Sequence, residues 1–312
     1  MKRHLLLAMV VLVLIISVIS CELLLEKPGK PTIHALFVSL DYYDLDQNNL
    51  DGTINDAEEV AVALNLLAGE YFNIDINTSL MFEKDGDPLL IGDRYPTKNN
   101  IRQKIEAYAL DSTIGENDIF FFYYSGHGGE FDQPMVVAET EGSPATVTIS
   151  TQEFATWIQP IKAQKIIILD SCFSGQVIED YPRKYEDRQI QDYDPNAFYL
   201  SAASDSQLSS ETMFYSIGHR HGYFTLYLLD AIGWNHVSET NTDLTLDSRD
   251  LSVPGKLDSK DDIPTFTNGN ILIGDVFRYI TYAFRYTEGW ISSQTPQTGD
   301  GPLDLVLFSE QW

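Results

Sequence analysis

Basic residues and cysteines are both scarce in this chain of 312 residues. Lys and Arg number 20 against 46 Asp and Glu, a formal net charge of −26. That balance argues against a nucleic-acid partner, because phosphate contacts need clustered Lys and Arg. It favours solubility, and it favours cationic over anionic peptides as ligands. The chain also lacks internal repeats and low-complexity tracts. An EF-hand is missing too: in the acidic run Asp41, Asp44, Asp46 and Asp51, Asn49 and Asn55 stand where such a loop needs Gly and Glu. A solvated loop is expected there, and a second acidic cluster lies at Asp258, Asp261 and Asp262. With 44% hydrophobic residues, the chain can fill a sizeable core.

No apolar run is long enough for an ordinary membrane span. The longest, Leu5 to Ile19, follows Lys2, Arg3 and His4 and has 15 residues, whereas a span takes roughly 20. A basic start, a short apolar core and small closing residues are the order of a signal peptide. Its end, Val18-Ile19-Ser20-Cys21, resembles the lipobox of bacterial lipoproteins. The resemblance implies a signal peptide over residues 1–20, lipid on the thiol of Cys21, and a place in the bacterial cell envelope. Residues 21–32, with Pro28, Gly29 and Pro31, then read as a lipidated tether. With Cys21 carrying lipid, Cys172 has no partner within the chain, so a structural disulfide is excluded. A lone Cys in an exported protein is a liability or a reactive group.

Two apolar runs end in reactive clusters. Ile119 to Tyr124 breaks into Ser125-Gly126-His127-Gly128-Gly129, and Lys165 to Leu169 breaks into Asp170-Ser171-Cys172-Phe173-Ser174-Gly175. Short continuous apolar runs read as buried strands of a parallel sheet, and chemistry collects past the carboxyl ends of such strands. One strand therefore brings a base to that edge and the other a thiol, which needs a base to become a nucleophile near neutral pH. An isolated Cys at a strand end is commonly inert core filling. Asp, Ser and Gly are poor core company, however, and glycines around His127 leave it little to pack against.

Along the rest of the chain, strands and helices alternate. Strands are expected at 33–40, 79–82, 119–124, 165–169, 197–201 and 303–308, with a hairpin around 135–148. Helices are expected at 55–68, 97–110, 151–158, 224–232 and 273–284. Thr97 is expected to cap the second of these. The alternation predicts a single doubly wound α/β domain over 33–312. It contains a polar stretch at 176–196 and an acidic, turn-rich insertion at 235–270. His219 and His221 are expected on the surface or at a helix entry.

The clusters together resemble the caspase-type cysteine peptidases, and among these the metacaspases and their bacterial relatives. Tyr-Tyr-Ser-Gly-His127-Gly-Gly is followed, 45 residues after the His, by Cys172 in Leu-Asp-Ser-Cys-Phe-Ser-Gly. Leu50-Asp-Gly-Thr-Ile-Asn-Asp-Ala57, Ala197-Phe-Tyr-Leu-Ser-Ala-Ala, His221-Gly-Tyr-Phe-Thr and Thr295-Pro-Gln297 resemble further family segments in order. The resemblance implies a mostly parallel six-stranded sheet flanked by helices. It also implies peptide hydrolysis by Cys172 and His127, with the amides of Gly128 and Cys172 as oxyanion hole. Positions matching Asp56, Ser125 and Asp170 line a pocket for Arg or Lys in metacaspases. Two carboxylates there would suit a cation and repel a substrate carboxylate.

Departures from the pattern carry expectations of their own. Many metacaspases bind calcium through an Asp pair where this chain has Ser150-Thr151-Gln152-Glu153, so no cofactor is expected. Thr53 replaces a common cysteine, and Leu50 falls where true caspases hold an arginine. The 176–196 stretch offers Arg183, Lys184 and Arg188 for self-processing. Two other readings stand beside the endopeptidase: a non-catalytic caspase-like lipoprotein acting as a binding or scaffold module, and a legumain-like peptidase cutting after Asn.

Overall fold

The computed structural model describes residues 29–85, 91–178, 196–211, 220–235, 240–241, 266–286, 294–299 and 301–312. The signal segment with Cys21, the basic residues Arg183, Lys184 and Arg188, His219 and most of the 235–270 insertion lie outside the described residues. The larger compact unit spans Pro31–Trp312.

The chain opens with β1 (Thr32–Leu40), α1 (Thr53–Leu66) running into a π-helical turn, β2 (Asp75–Glu83) and α2 (Lys98–Leu110). Then come β3 (Ile119–Ser125), a hairpin of β4 (Met135–Ala138) and β5 (Thr146–Ile149), α3 (Thr151–Ile158), β6 (Gln164–Asp170) and β7 (Ala197–Ser201). The last part holds α4 (Tyr223–Ala231), β8 (Trp234–Asn235), β9 (Thr240–Asn241), β10 (Phe266–Thr267), β11 (Asn270–Leu272), α5 (Ile273–Tyr286), β12 (Gln297–Thr298) and β13 (Val306–Ser309).

Six strands form the central sheet in the order β12-β7-β6-β3-β1-β2. All neighbours are parallel except β12 against β7. The apolar runs are continuous because the central strands bury both faces. Alternate residues serve two separate cores. Ile33, Phe37, Phe121, Tyr123, Ile166 and Ile168 pack with α1, α4 and α5 on one face. Leu36, Val38, Phe120, Phe122, Ile167 and Leu169 pack with α2, α3 and the hairpin on the other.

The boundaries differ from the sequence reading in ways that burial explains. β2 starts at Asp75, four residues before the expected Ser79, because it is the sheet edge and its first residues are largely polar and half-exposed. α1 starts at Thr53 rather than Asn55, and its Gly52 N–H is held by the Glu211 carboxylate at 2.7 Å rather than by a side-chain cap. The late strand at 306–309 is not part of the central sheet: β13 joins β10 and β11 in a small antiparallel sheet. Thr97 caps α2 as expected, accepting the Asn100 N–H at 3.1 Å. The acidic loop is only partly solvated. Asp41 is buried, and its carboxylate accepts the N–H groups of Tyr43 and Asp85.

Candidate active site

β3 and β6 lie side by side with Ser125 paired to Asp170. The Gly126 N–H then donates to the Asp170 carbonyl at 3.2 Å, so the two chains leave the sheet together. His127 and Cys172 each lie two residues beyond that last pair, on strands whose spacing is about 4.8 Å. A side chain at Gly128 would collide with the carbonyl oxygen of Cys172 and reach within 3.1 Å of the Pro134 carbonyl. Glycine is thus what lets the His loop lie directly on the Cys turn.

Two buried phenols fix the His loop. The His127 N–H donates to Tyr42 Oη at 2.8 Å, while Tyr124 Oη donates to the His127 carbonyl at 2.8 Å. Tyr42 itself has a φ of 64°, and its N–H is held by Glu83 at 2.7 Å. Its ring lies 4.5 Å from the imidazole, centroid to centroid. Nε2 of His127 is 2.7 Å from the Asn48 carbonyl oxygen. A carbonyl can only accept, so Nε2 donates here, and Nδ1 is the ring nitrogen not engaged by Asn48.

Cys172 sits on the turn after β6, ahead of Phe173 at φ 57°. Ser171 Oγ anchors this turn on the Pro134 carbonyl at 2.7 Å, and the Phe173 N–H anchors it on Gln207 at 2.7 Å. The thiol points to the Ser209 carbonyl at 3.7 Å. Burial pushes the Cys172 thiol above its ordinary pKa, and the Asp170 carboxylate adds to the rise. The resting group is therefore a thiol, and nucleophilic attack requires a base. Thiol and imidazole are each engaged elsewhere, an arrangement that loosely packed apo sites commonly show before substrate binds.

Behind the thiol lie two buried carboxylates. Asp56, in the first turn of α1, accepts Ser125 Oγ at 2.9 Å, His221 Nδ1 at 2.9 Å and the Gly222 N–H at 3.1 Å. Asp170 accepts Ser209 Oγ at 2.8 Å, Thr225 Oγ1 at 2.7 Å and the Thr225 N–H at 3.2 Å. Burial pushes both carboxyls up from their ordinary range. Gly222 is pressed so closely on the Asp170 carboxylate that a Cβ there would collide with it. The predicted pocket residues Asp56, Ser125 and Asp170 are thus brought together. Thr53 is buried at the start of α1, its hydroxyl donating to the Leu40 carbonyl at 2.8 Å.

Of the two placements expected for His221, the helix entry is met, just before Gly222 and α4, and the surface is not. It is 1% exposed, bonded to Asp56 and 3.3 Å from Glu59 through Nε2. Asn48, Tyr42, Ser209, Thr225 and Gln294 were also missed. Gln294 Nε2 donates to Ser209 Oγ at 3.1 Å, so it backs the hydroxyl that holds Asp170. None of these contacts follows from spacing along the chain, because each joins separate elements.

The segment where metacaspases place a calcium pair does not fit the ion. Ser150 and Glu153 form a capping box on α3, and Glu153 is paired with Lys98 at 2.7 Å. Among the described residues, no group of three or more His, Cys, Asp or Glu is arranged to hold a metal.

Comparison with known proteins agrees with this fold. The family model described as the caspase domain matches residues 32–271. Metacaspase-1 of Plasmodium berghei is 30% identical over 168 residues, covering 49% of this chain and 26% of that protein. Metacaspase-2 of Trypanosoma brucei brucei is 26% identical over 169 residues, covering 51% and 45%. Metacaspase-1 of Candida glabrata is 27% identical over 202 residues, covering 61% and 48%. The match thus takes in less than half the length of each of these relatives.

Proposed function

Because the chain belongs to the caspase-domain family, we propose that it is a cysteine endopeptidase cutting after Arg or Lys, with Cys172 as nucleophile and His127 as base. The observation that carries this reading is the register of β3 and β6, which delivers the thiol and the imidazole to one sheet edge. Nδ1 of His127 takes the thiol proton as sulfur bonds to the scissile carbonyl carbon. It returns that proton to the departing amine, and water then hydrolyses the acyl-enzyme. The amides of Gly128 and Cys172 serve as donors for the oxyanion. Among the described residues neither amide donates to a backbone carbonyl. Asp170, next to the nucleophile and held only by neutral donors, supplies the attraction for a cationic side chain.

The test is labelling by an acyloxymethyl ketone probe carrying Arg at its first position, compared between wild type and Cys172→Ala. Labelling of wild type alone is the expected result. Equal labelling of both, or of neither, would count against the peptidase and leave the scaffold reading; labelling only by an Asn probe would favour the legumain-like one. On the same gel, self-processing at Arg183, Lys184 or Arg188 appears as fragments in wild type and as full-length Cys172→Ala. An active wild type that stays full length removes self-processing.

The same proposal places the enzyme in the bacterial cell envelope, tethered through lipid on Cys21. Support comes from the order of residues 1–21 in the sequence. Metabolic labelling with an alkyne fatty acid is expected in wild type and lost in Cys21→Ser. An unlabelled wild type refutes the anchor.

A further inference from the structure

We infer that His221 sets the charge of the specificity pocket: as a buried imidazolium between Asp56 and Glu59 it pairs with Asp56 and leaves Asp170 as the pocket carboxylate without a direct cationic partner. The inference rests on the reading of Asp56, Ser125 and Asp170 as the pocket for a basic side chain.

Both ring nitrogens of His221 face carboxylate oxygens. Nδ1 is 2.9 Å from Asp56 and Nε2 is 3.3 Å from Glu59, one turn further along α1. A neutral imidazole has a single N–H and cannot donate in both directions. The carboxyl groups, for their part, are held as acceptors. The Gly222 N–H and Ser125 Oγ address the two oxygens of Asp56, and Trp234 Nε1 donates to Glu59 at 2.6 Å. The extra proton therefore belongs on the ring. Burial alone pulls His221 down, yet the bonds to Asp56 and Glu59 outweigh it and push the ring up.

Among the described residues, the nearest other cation is Arg220, which pairs with Asp51, and the other titratable groups around the cluster are acidic or phenolic. Asp170 comes from β6, Tyr123 from β3, and Glu211 from the segment paired to Gly222. Residues 221–225 thus hold both pocket carboxylates in different ways. His221 bonds Asp56 directly through Nδ1, whereas Asp170 feels that ring only at longer range and is bonded by the neutral groups of Thr225, with Gly222 packed against it. Of the two pocket carboxylates, a substrate cation meets only Asp170 without a direct cationic partner.

The direct test uses 15N-histidine NMR on full-length Cys172→Ala. One ring is expected to stay protonated on both nitrogens through about pH 8, well above an ordinary histidine. If every ring is neutral there, the inference is wrong. The second test uses active protein and the ratio of kcat/KM for matched substrates carrying Arg or citrulline. Effects on the chemical step common to both substrates cancel in that ratio. It is expected to be flat between about pH 6 and 8 in wild type. In His221→Gln it should climb about tenfold over the same range, as Asp56, without its cation, gains charge only at higher pH. His221→Lys should restore the flat profile. A His221→Gln ratio as flat as wild type would overturn the inference even if all variants fold. Absence of Arg-directed cleavage by wild type would instead refute the peptidase reading and leave the NMR result standing.

Discussion

Gly128→Ala is expected to lower kcat at least about a hundredfold and to destabilise the fold by about 2–3 kcal/mol. The added methyl group would collide with the Cys172 carbonyl oxygen and crowd that of Pro134. Neither obstacle is the end of a flexible side chain. The Cys turn is tied through Ser171 to Pro134 and through Phe173 to Gln207, and the Gly126 N–H ties the two strand ends together. Relief must therefore come from parting the His loop and the Cys turn. That movement separates the base from the thiol and misplaces the two amides proposed to receive the oxyanion. Removing one such donor costs roughly a hundred- to a thousandfold in comparable sites. Gly115→Ala is the control, since its Cβ would meet nothing closer than 3.7 Å. Near-wild-type kcat in Gly128→Ala, with an unshifted melting curve, would mean the two loops do not meet as described.

The part of this arrangement that was readable in advance is the part written in local pattern. Ile119–Tyr124 and Lys165–Leu169 announce buried parallel strands because both faces of the sheet are covered. The residues that follow each run mark the edge where chemistry collects. Thr97 and Ser150 likewise sit where a helix needs a cap. What escaped was set by contacts between distant segments. His221 carries no local mark of its partners, which lie 165 residues away at Asp56. The Asn48 carbonyl is a backbone group, so no side-chain pattern could have singled it out as the partner of His127. The start of β2 was missed because an edge strand need not be apolar.

Asp170→Asn is expected to cut kcat/KM on Arg and Lys substrates by about 10²–10³ while leaving a citrulline substrate nearly unaffected, because truncating a buried charge partner costs about 2–5 kcal/mol. The fold should tolerate the change. The amide oxygen can still accept the Thr225 N–H and hydroxyl, and the new NH2 can donate to Ser209 Oγ once that hydroxyl turns. Stability should even gain at neutral pH. Burial raises the Asp170 carboxyl, and burial with the neighbouring Asp41 raises Glu83 to about 7. A carboxyl raised on folding contributes its full stability below the unfolded pKa and loses it as pH climbs through the folded one. His221, also raised, loses its contribution in the same direction at higher pH. Wild-type melting temperature should therefore fall as pH rises from about 4 to 8, and Asp170→Asn should fall less steeply. Its kinetics and its melting curve then read the same charge from two sides: the carboxylate that attracts a substrate cation is one the folded protein holds at a cost. If Asp170→Asn keeps its preference for Arg over citrulline, the attraction lies with some other group and the pocket has been assigned to the wrong carboxylate.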